Sequence, residues 1–413
     1  MPSAREVFLA FAAIPFIYYV IAVFSSWRYF RQARVASGTL FTPPISILKP
    51  IKGLDPDAYE NLASFCRQDY PEYEIVFCVD ADDDKVRSVL AKLTSDFPQC
   101  RIRILYGSGR KATNDKTAKL ARLSEEAAYE FLVISDSDVR VRPDYLREVI
   151  APLRDPKVGA TTCLYVPAAI NTWTDHLQTV GMMSDFYAGV LVDWQLEGIK
   201  FALGPSIATT RARLSAFGGY AELENRPADD LLVGRLIARQ GCEVRLLSYT
   251  IETVCDYNSF PELLHKRLRW IVVMRLMRPW GHLGLALTQG LPLAILAVAI
   301  RPSEILAAAY LGTYIVLRSA MTWMIGIHGL RQRYLWKDLP LIPLWDAVAF
   351  GIWIASFTRS SIRWRGADYY IRRGCLVPVI PETEALPARS ASHATPAFSR
   401  QPVRSDLAGL RDR

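Results

Sequence analysis

The sequence predicts an α/β domain with a doubly wound, mostly parallel sheet, framed by apolar segments toward both ends of the chain. Three observations carry this. Short apolar runs alternate with amphipathic segments between Pro44 and Asp256, acidic clusters follow two of those runs, and long apolar runs stand outside them. Alternation of this kind gives parallel strands joined by crossover helices.

The elements follow in order. Ile45–Leu48 is a short apolar strand ending at Lys49-Pro50, and Ala58–Arg67 has helical spacing of Leu62, Phe65 and Cys66. Glu74–Val79 is a second strand, running straight into Asp80-Ala-Asp-Asp-Asp84, with a helix over Val86–Phe97. Arg101–Leu105 is a third strand, and Thr117–Ala128 puts Leu120 and Leu123 on one helical face. Phe131–Ile134 is the fourth strand, Pro143–Leu153 a helix with Pro in its first turn, and Leu231–Arg239 a further amphipathic helix.

At 413 residues the chain is too long for one ordinary domain. Its net charge of +8 sits largely beside apolar runs: Arg28, Arg31 and Arg34, then Arg331, Arg333 and Lys337, then Arg359, Arg363, Arg365, Arg372 and Arg373. That placement points to an anionic membrane face. Nucleic acid is excluded, because no basic stripe is interleaved with aromatics. The 7 cysteines are scattered without CxxC spacing, which argues for a reducing compartment and against a zinc site.

Val7–Phe24 is uncharged, lacks a small-residue cleavage site and is followed by basic residues. It reads as a transmembrane anchor whose C-terminal end is cytoplasmic. Leu283–Ile300 and Ile305–Ile327, joined by Arg301-Pro-Ser-Glu304, read as a hairpin of two spans. Leu339–Phe357 contains Pro340, Pro343 and Asp346. A third span would carry the arginines from Arg359 to Arg373 outward, so this stretch reads as re-entrant or interfacial. The tail from Pro381 to Arg413, rich in Pro, Ala, Ser and Arg, reads as disordered. The expected division is therefore an anchor over 1–34, a catalytic domain over 44–280, a membrane region over 281–375 and a tail over 376–413.

The candidate chemistry lies at strand ends, where open α/β sheets bind ligands. Asp136 and Asp138 follow the fourth strand. They are either turn residues or a pair of hard oxygen ligands for Mg²⁺ or Mn²⁺ on a diphosphate. Asp80 and Asp82–Asp84 follow the second strand and are either a solvated loop or part of the same pocket. Lys116 precedes a helix, placed to neutralise a diphosphate or merely solvated. Asp229 suits an N-cap, and Asp230 is then free to act as a general base. In His265-Lys266-Arg267-Leu268-Arg269-Trp270, Arg269 can hold a diphosphate and Trp270 can wall a sugar, or the segment lies on a membrane surface. Neither a G-x-G-x-x-G nor a Walker loop is present.

Asp84, Asp136, Asp230 and Lys266-x-x-Arg269-Trp270 together resemble the D, D, D, (Q/R)xxRW pattern of glycosyltransferase family 21. The family includes ceramide glucosyltransferases and bacterial hopanoid-associated glycosyltransferases. Leu48-Lys-Pro-Ile-Lys-Gly53, Gln68-Asp-Tyr-Pro71, Asn114-x-Lys116, Ala160-x-x-Cys-Leu-Tyr165 and Phe217-Gly-Gly219 extend the likeness across Pro44 to Trp280. The resemblance implies a cytoplasmic GT-A domain on a multi-pass protein of a bacterial inner membrane. It further implies a UDP-sugar donor, a divalent metal, inversion and a lipid hydroxyl acceptor, ceramide-like or hopanoid. On that reading Asp84 or Asp83, Lys116, Asp136 and Lys266 bind the donor, and Asp136 and Asp138 hold the metal. Asp230, Arg269 and Trp270 are catalytic. Lys266 departs from the usual Gln or Arg and lacks the planar fork. The competing readings are a processive polysaccharide synthase and an inactive membrane scaffold of the same fold.

Overall fold

The computed structural model describes residues 2–32, 41–254, 259–364 and 367–379. Arg34, Arg365 and the tail from 380 onward lie outside the described residues.

The first half of the α/β domain is a run of parallel strands, β1 (Ile45–Pro50), β2 (Tyr73–Val79), β3 (Arg101–Tyr106) and β4 (Phe131–Ile134), of which β3 lies at the sheet edge and is only partly buried. β1 pairs in parallel with both β2 and β4, and β2 with β3. Helices Ala58–Cys66, Asp84–Asp96 and Asp115–Glu126 make the connections. The second half adds β5 (Val139–Arg140), β6 (Val158–Pro167), β7 (Ile207–Thr210) and β8 (Glu243–Thr253), giving the sheet order β3-β2-β1-β4-β7-β6-β8-β5. β7 runs antiparallel to both β4 and β6, while β6 and β8 are parallel.

The period-2 alternation of the strands divides the core. Ile45, Ile47, Ile75, Phe77 and Val133 pack on one face. Leu48, Val76, Leu132 and Ile134 pack on the other, in a cluster that continues without interruption through Tyr187 and Leu191 to Tyr19, Phe30, Tyr314 and Trp345 of the apolar helices. The catalytic domain and the membrane region therefore share one core.

Three helices are long and apolar enough to cross a membrane: Ala4–Gln32, Glu304–Gly329 and Leu339–Ser356. The uncharged stretch expected to be one straight span is instead a pair, Pro279–Thr288 and Gly290–Ile300, bent by 53°. The Tyr19 hydroxyl staples the break, donating to the Thr288 carbonyl at 2.9 Å and accepting from the Gly290 N–H at 3.0 Å. It thus satisfies backbone groups that hydrocarbon leaves unpaired. The two charges inside the later apolar stretches find each other. Arg318 Nε donates to Asp346 Oδ2 at 2.9 Å, the Tyr314 hydroxyl donates to the same oxygen at 2.7 Å, and Arg318 also reaches the Ser184 carbonyl of the catalytic domain. Ser184 lies in the π-helical turn Met182–Phe186 between helices Trp173–Gly181 and Tyr187–Leu196.

A three-stranded antiparallel sheet was not anticipated from the sequence: β9 (Ser361–Trp364), β10 (Ala367–Arg372) and β11 (Cys375–Pro378), in the order β11-β10-β9. The expected boundary between 375 and 376 falls inside β11.

Replacing Arg318 alone by Met is expected to cost about 3–5 kcal/mol by stranding a buried carboxylate, whereas Arg318→Met with Asp346→Leu recovers most of it. Thermal unfolding in detergent micelles checks this, and equal losses in both variants would contradict it.

Candidate active site

The carboxyl ends of β1, β2 and β4 open onto one edge, and three lysines, two of them buried, organise the acids there. Asn114 caps the Asp115–Glu126 helix with its side chain, placing Lys116 and Lys119 in the first two turns. Lys116 Nζ lies 2.7 Å from Asp136 Oδ1 and 3.5 Å from Asp229 Oδ2. Burial opposes its charge, but Asp136 and Asp229 outweigh burial and hold the ammonium well above the ordinary lysine range. Lys119 lies 2.6 Å from Asp80 Oδ1 and 3.1 Å from Asp115 Oδ2, and donates to the Ile51 carbonyl. Lys49, at the end of β1, donates to the Asp136 carbonyl at 2.7 Å and stands over the Phe65 ring. Burial pulls it down to about 7 against the attraction of Asp138 and Asp136.

Asp138 is pushed up to about 7, chiefly by burial and then by Asp136 and Asp55, with Lys266 and Lys49 opposing. A carboxylate held at that balance is one that a cation would ionise fully. Two hard carboxylates suit Mg²⁺ or Mn²⁺, which keep waters and take substrate oxygens for their remaining positions. Among the described residues there is no closed cage of three or more His, Cys, Asp or Glu.

Asp230 opens the Asp229–Arg239 helix, behind Ala228 in left-handed backbone at φ +55. That conformation is costly for alanine and marks a constrained entry to the helix. Gly234 lets the helix approach the 201–202 backbone, where a Cβ would come within 2.5 Å. This approach brings the Gly204 N–H to Asp230 Oδ2 at 3.0 Å, while the Leu231 N–H donates to Oδ1 at 2.8 Å. Burial, then Asp229, raises Asp230 to about 6 against Lys116 and the Leu231 N–H. The result is a carboxylate ionised at neutral pH yet basic enough to take a proton. Asp229 is no N-cap. It is buried and is held by Lys116.

The Phe260–Met277 helix carries the Lys-x-x-Arg-Trp motif. Lys266 acts on Asp138. Arg269, one turn further along, shares that face. Arg267, given no role from the sequence, is buried between the rings of Trp270 and Trp345, at 5.0 and 4.9 Å, and donates to Gln178 Oε1 at 2.9 Å. Trp270 also lies 6.3 Å from the Phe186 ring.

The structure thus assembles Lys116, Asp136, Asp138, Asp230 and the motif helix. It places the second acid cluster differently. Asp83 is spent capping its helix through the Val86 N–H, and the Asp84 side chain is 93% exposed beside Arg87. Asp80 is the acid of that cluster that joins the lysine network, through Lys119, and Asp55 acts there on Lys49 and Asp138. For Asp80 the available signal was position, since it follows the last strand residue directly.

A doubly wound sheet with carboxylates, lysines and an Arg-Trp helix at its carboxyl edge defines a GT-A-type glycosyltransferase. The chain matches the glycosyl transferase family 21 profile over residues 7–377, and it belongs to that family. It is 22% identical to ceramide glucosyltransferase 3 of Caenorhabditis elegans over 87% of this chain and 79% of that one. It is 25% identical to the beta-monoglucosyldiacylglycerol synthase of Synechocystis sp. over 57% of this chain and 48% of that one. In structure it resembles a mannosyltransferase from Pyrobaculum calidifontis in complex with GDP-Man and Mn²⁺, with a TM-score of 0.56 and 20% identity over 84% of this chain and 99% of that one. The chain is a membrane-associated hexosyltransferase.

With Asp230 as the base, sugar transfer would level off above about pH 6 and fall about tenfold per unit below it, as the raised carboxyl takes up its proton. A kcat/KM–pH profile checks this, and a flat profile from pH 4.5 to 8 would contradict it.

Proposed function

We propose that this enzyme transfers one hexose, glucose or N-acetylglucosamine, from a UDP-sugar to the hydroxyl of a membrane lipid of ceramide-like or hopanoid type, with inversion. The observation that carries the reading is the network in which Lys116 joins Asp136 to Asp229, one residue from Asp230. It sets a diphosphate-binding edge beside a poised base.

Asp136 and Asp138 would hold Mg²⁺ or Mn²⁺, which supplies Lewis-acid neutralisation of the leaving diphosphate. Lys116 adds charge from the helix N-terminus, and Arg269 adds a guanidinium suited to phosphate oxygens. Asp230 takes the acceptor proton as the hydroxyl attacks the anomeric carbon from the face opposite the diphosphate. Trp270 walls the sugar, with its ring held by Arg267.

The membrane region brings the acceptor. The sheet β9–β11 packs on the motif helix, so the segment after residue 360 lies on the same side as the catalytic domain. Arg301 acts electrostatically on the exposed Glu6, near the opposite end of the N-terminal helix. Pro279–Ile300 then crosses outward and Glu304–Gly329 returns. Leu339–Ser356, although long enough to span, has Trp345 over Gly181 and Trp353 bonded to the His282 carbonyl, so both parts touch the catalytic side. This agrees with an interfacial helix and keeps Arg331, Arg333, Lys337 and Arg359 on one face, the cytoplasmic one by the positive-inside rule. The small number of spans favours single transfer over a processive synthase.

A cysteine at Ser303 should label from the periplasmic side of intact cells and one at Thr358 only after permeabilisation. Labelling of position 358 from outside would refute the interfacial assignment. In membranes with Mn²⁺, UDP-glucose and UDP-N-acetylglucosamine tested against ceramide and a hopanoid polyol should give a singly glycosylated lipid. Asp136→Asn or Asp230→Asn should lower its formation by about 10³-fold or more, in proportion to a lost charge site or base. Full activity in either variant would sink the assigned roles.

A further inference from the structure

The sheet that follows the membrane region touches two pieces of the catalytic machinery, and nothing in the chemistry above uses it. Ile362 of β9 and Leu376 of β11 form a small core with Val272 of the motif helix, supported by Leu268, Leu276 and Trp364. On the opposite flank the Leu376 N–H donates to the Asn225 carbonyl at 2.7 Å, and Arg226 Nη1 donates to the Arg373 carbonyl at 3.1 Å. Residues 225 and 226 lead directly into Asp229 and Asp230. The Asn114 side chain holds the same loop through the Arg226 carbonyl at 2.9 Å. Gly374 makes the docking possible: it has φ +74, and a Cβ there would meet Arg226 Nη1 at 2.7 Å.

At the centre of this contact the Arg269 guanidinium carbon lies 5.6 Å from the Trp364 ring centroid, within cation–π range. Arg269 is a long side chain at the edge of an anion pocket. Left to itself it samples many rotamers, and each bond it makes to a diphosphate costs ordering entropy. A flat ring against the guanidinium removes much of that freedom and engages only its face, because stacking uses the face and hydrogen bonding uses the edge. A lysine at 269 would not benefit in the same way.

We infer that the C-terminal sheet is an integral part of the active site, with Trp364 as a positioning residue that holds Arg269 for the donor diphosphate. The inference rests on the donor reading of the site. It adds that the catalytic centre is completed by a segment lying beyond all the membrane helices. A chain that ends after Ser356 would keep every motif residue and still lack part of its donor site.

The test uses the full-length protein in nanodiscs, comparing Trp364→Leu, which keeps bulk but removes the π face, with Trp364→Phe, which keeps a ring. Trp364→Leu should lower kcat/KM for the UDP-sugar about five- to thirtyfold, the range a partly desolvated cation–π contact supports, with KM for the lipid acceptor unchanged and Trp364→Phe close to wild type. UDP affinity, measured by calorimetry, should fall in parallel. In an Arg269→Lys background Trp364→Leu should add little, since the two residues act as a unit. Wild-type behaviour of Trp364→Leu would overturn the inference. So would equal loss in Leu and Phe variants, or losses that multiply fully in the Arg269→Lys background. If the wild-type protein bound UDP but transferred no sugar, the functional reading would fall, and the UDP affinity ratio would still decide the role of Trp364.

Discussion

The site depends on one ammonium group. Lys116 sits where three elements converge: the end of β4 through Asp136, its own helix, and the start of the Asp229–Arg239 helix through Asp229. The parallel half of the sheet supplies the first and the mixed half supplies the last. Without a cation between them, carboxylates at that separation repel one another, and burial makes the repulsion expensive. Lys116 therefore fixes the distance between the edge that would hold a diphosphate and the base that would activate an acceptor. Because one lysine serves both, occupation of the donor side changes the charge felt by Asp230.

Around that centre the acids differ in their surroundings. Asp138 and Asp230 are raised toward neutrality by burial, whereas Asp84 stands in solvent. The membrane region enters this arrangement through aromatic and ionic contacts with the catalytic domain. Trp345 reaches Arg267 next to the motif, and Arg318 reaches Ser184 in the π turn. The domain is not a soluble unit on a tether.

The sequence made the first half of the fold legible because its strands are short apolar runs ending at Lys49, Asp80 and Asp136, with amphipathic helices between them. The four strands expected there are present with boundaries shifted by a residue or two. β5 to β8 were not anticipated: β5 has only two residues, and β7 pairs antiparallel on both sides, so neither shows the alternation a parallel unit does. The Asp-Ser-Asp triplet and the Lys-x-x-Arg-Trp helix were visible as motifs. The inward turn of Asp80, the clamp on Arg267 and the sheet after residue 360 were not, because each depends on partners distant in sequence. The capping role of Asp83 was in principle legible, as an acid at the entry to a helix. The run of acids around it concealed which one did the capping.

The hydroxyl of Tyr19 closes the break at residues 288–290, and the N-terminal helix also accepts a hydrogen bond from Tyr310 at the Leu9 carbonyl, partners separated by 269 and 301 positions. Read in the order of synthesis, the first helix to enter the bilayer is among the last to be completed. Until the chain has been made past residue 290, Tyr19 has no helix break to staple, and until it has passed residue 329, Phe30 has no Gly329 to cover. The α/β domain emerges in that interval, beside a helix still lacking half its neighbours. Final closure of the apolar helices therefore follows the emergence of the α/β domain, and any variant that slows it leaves their common core open.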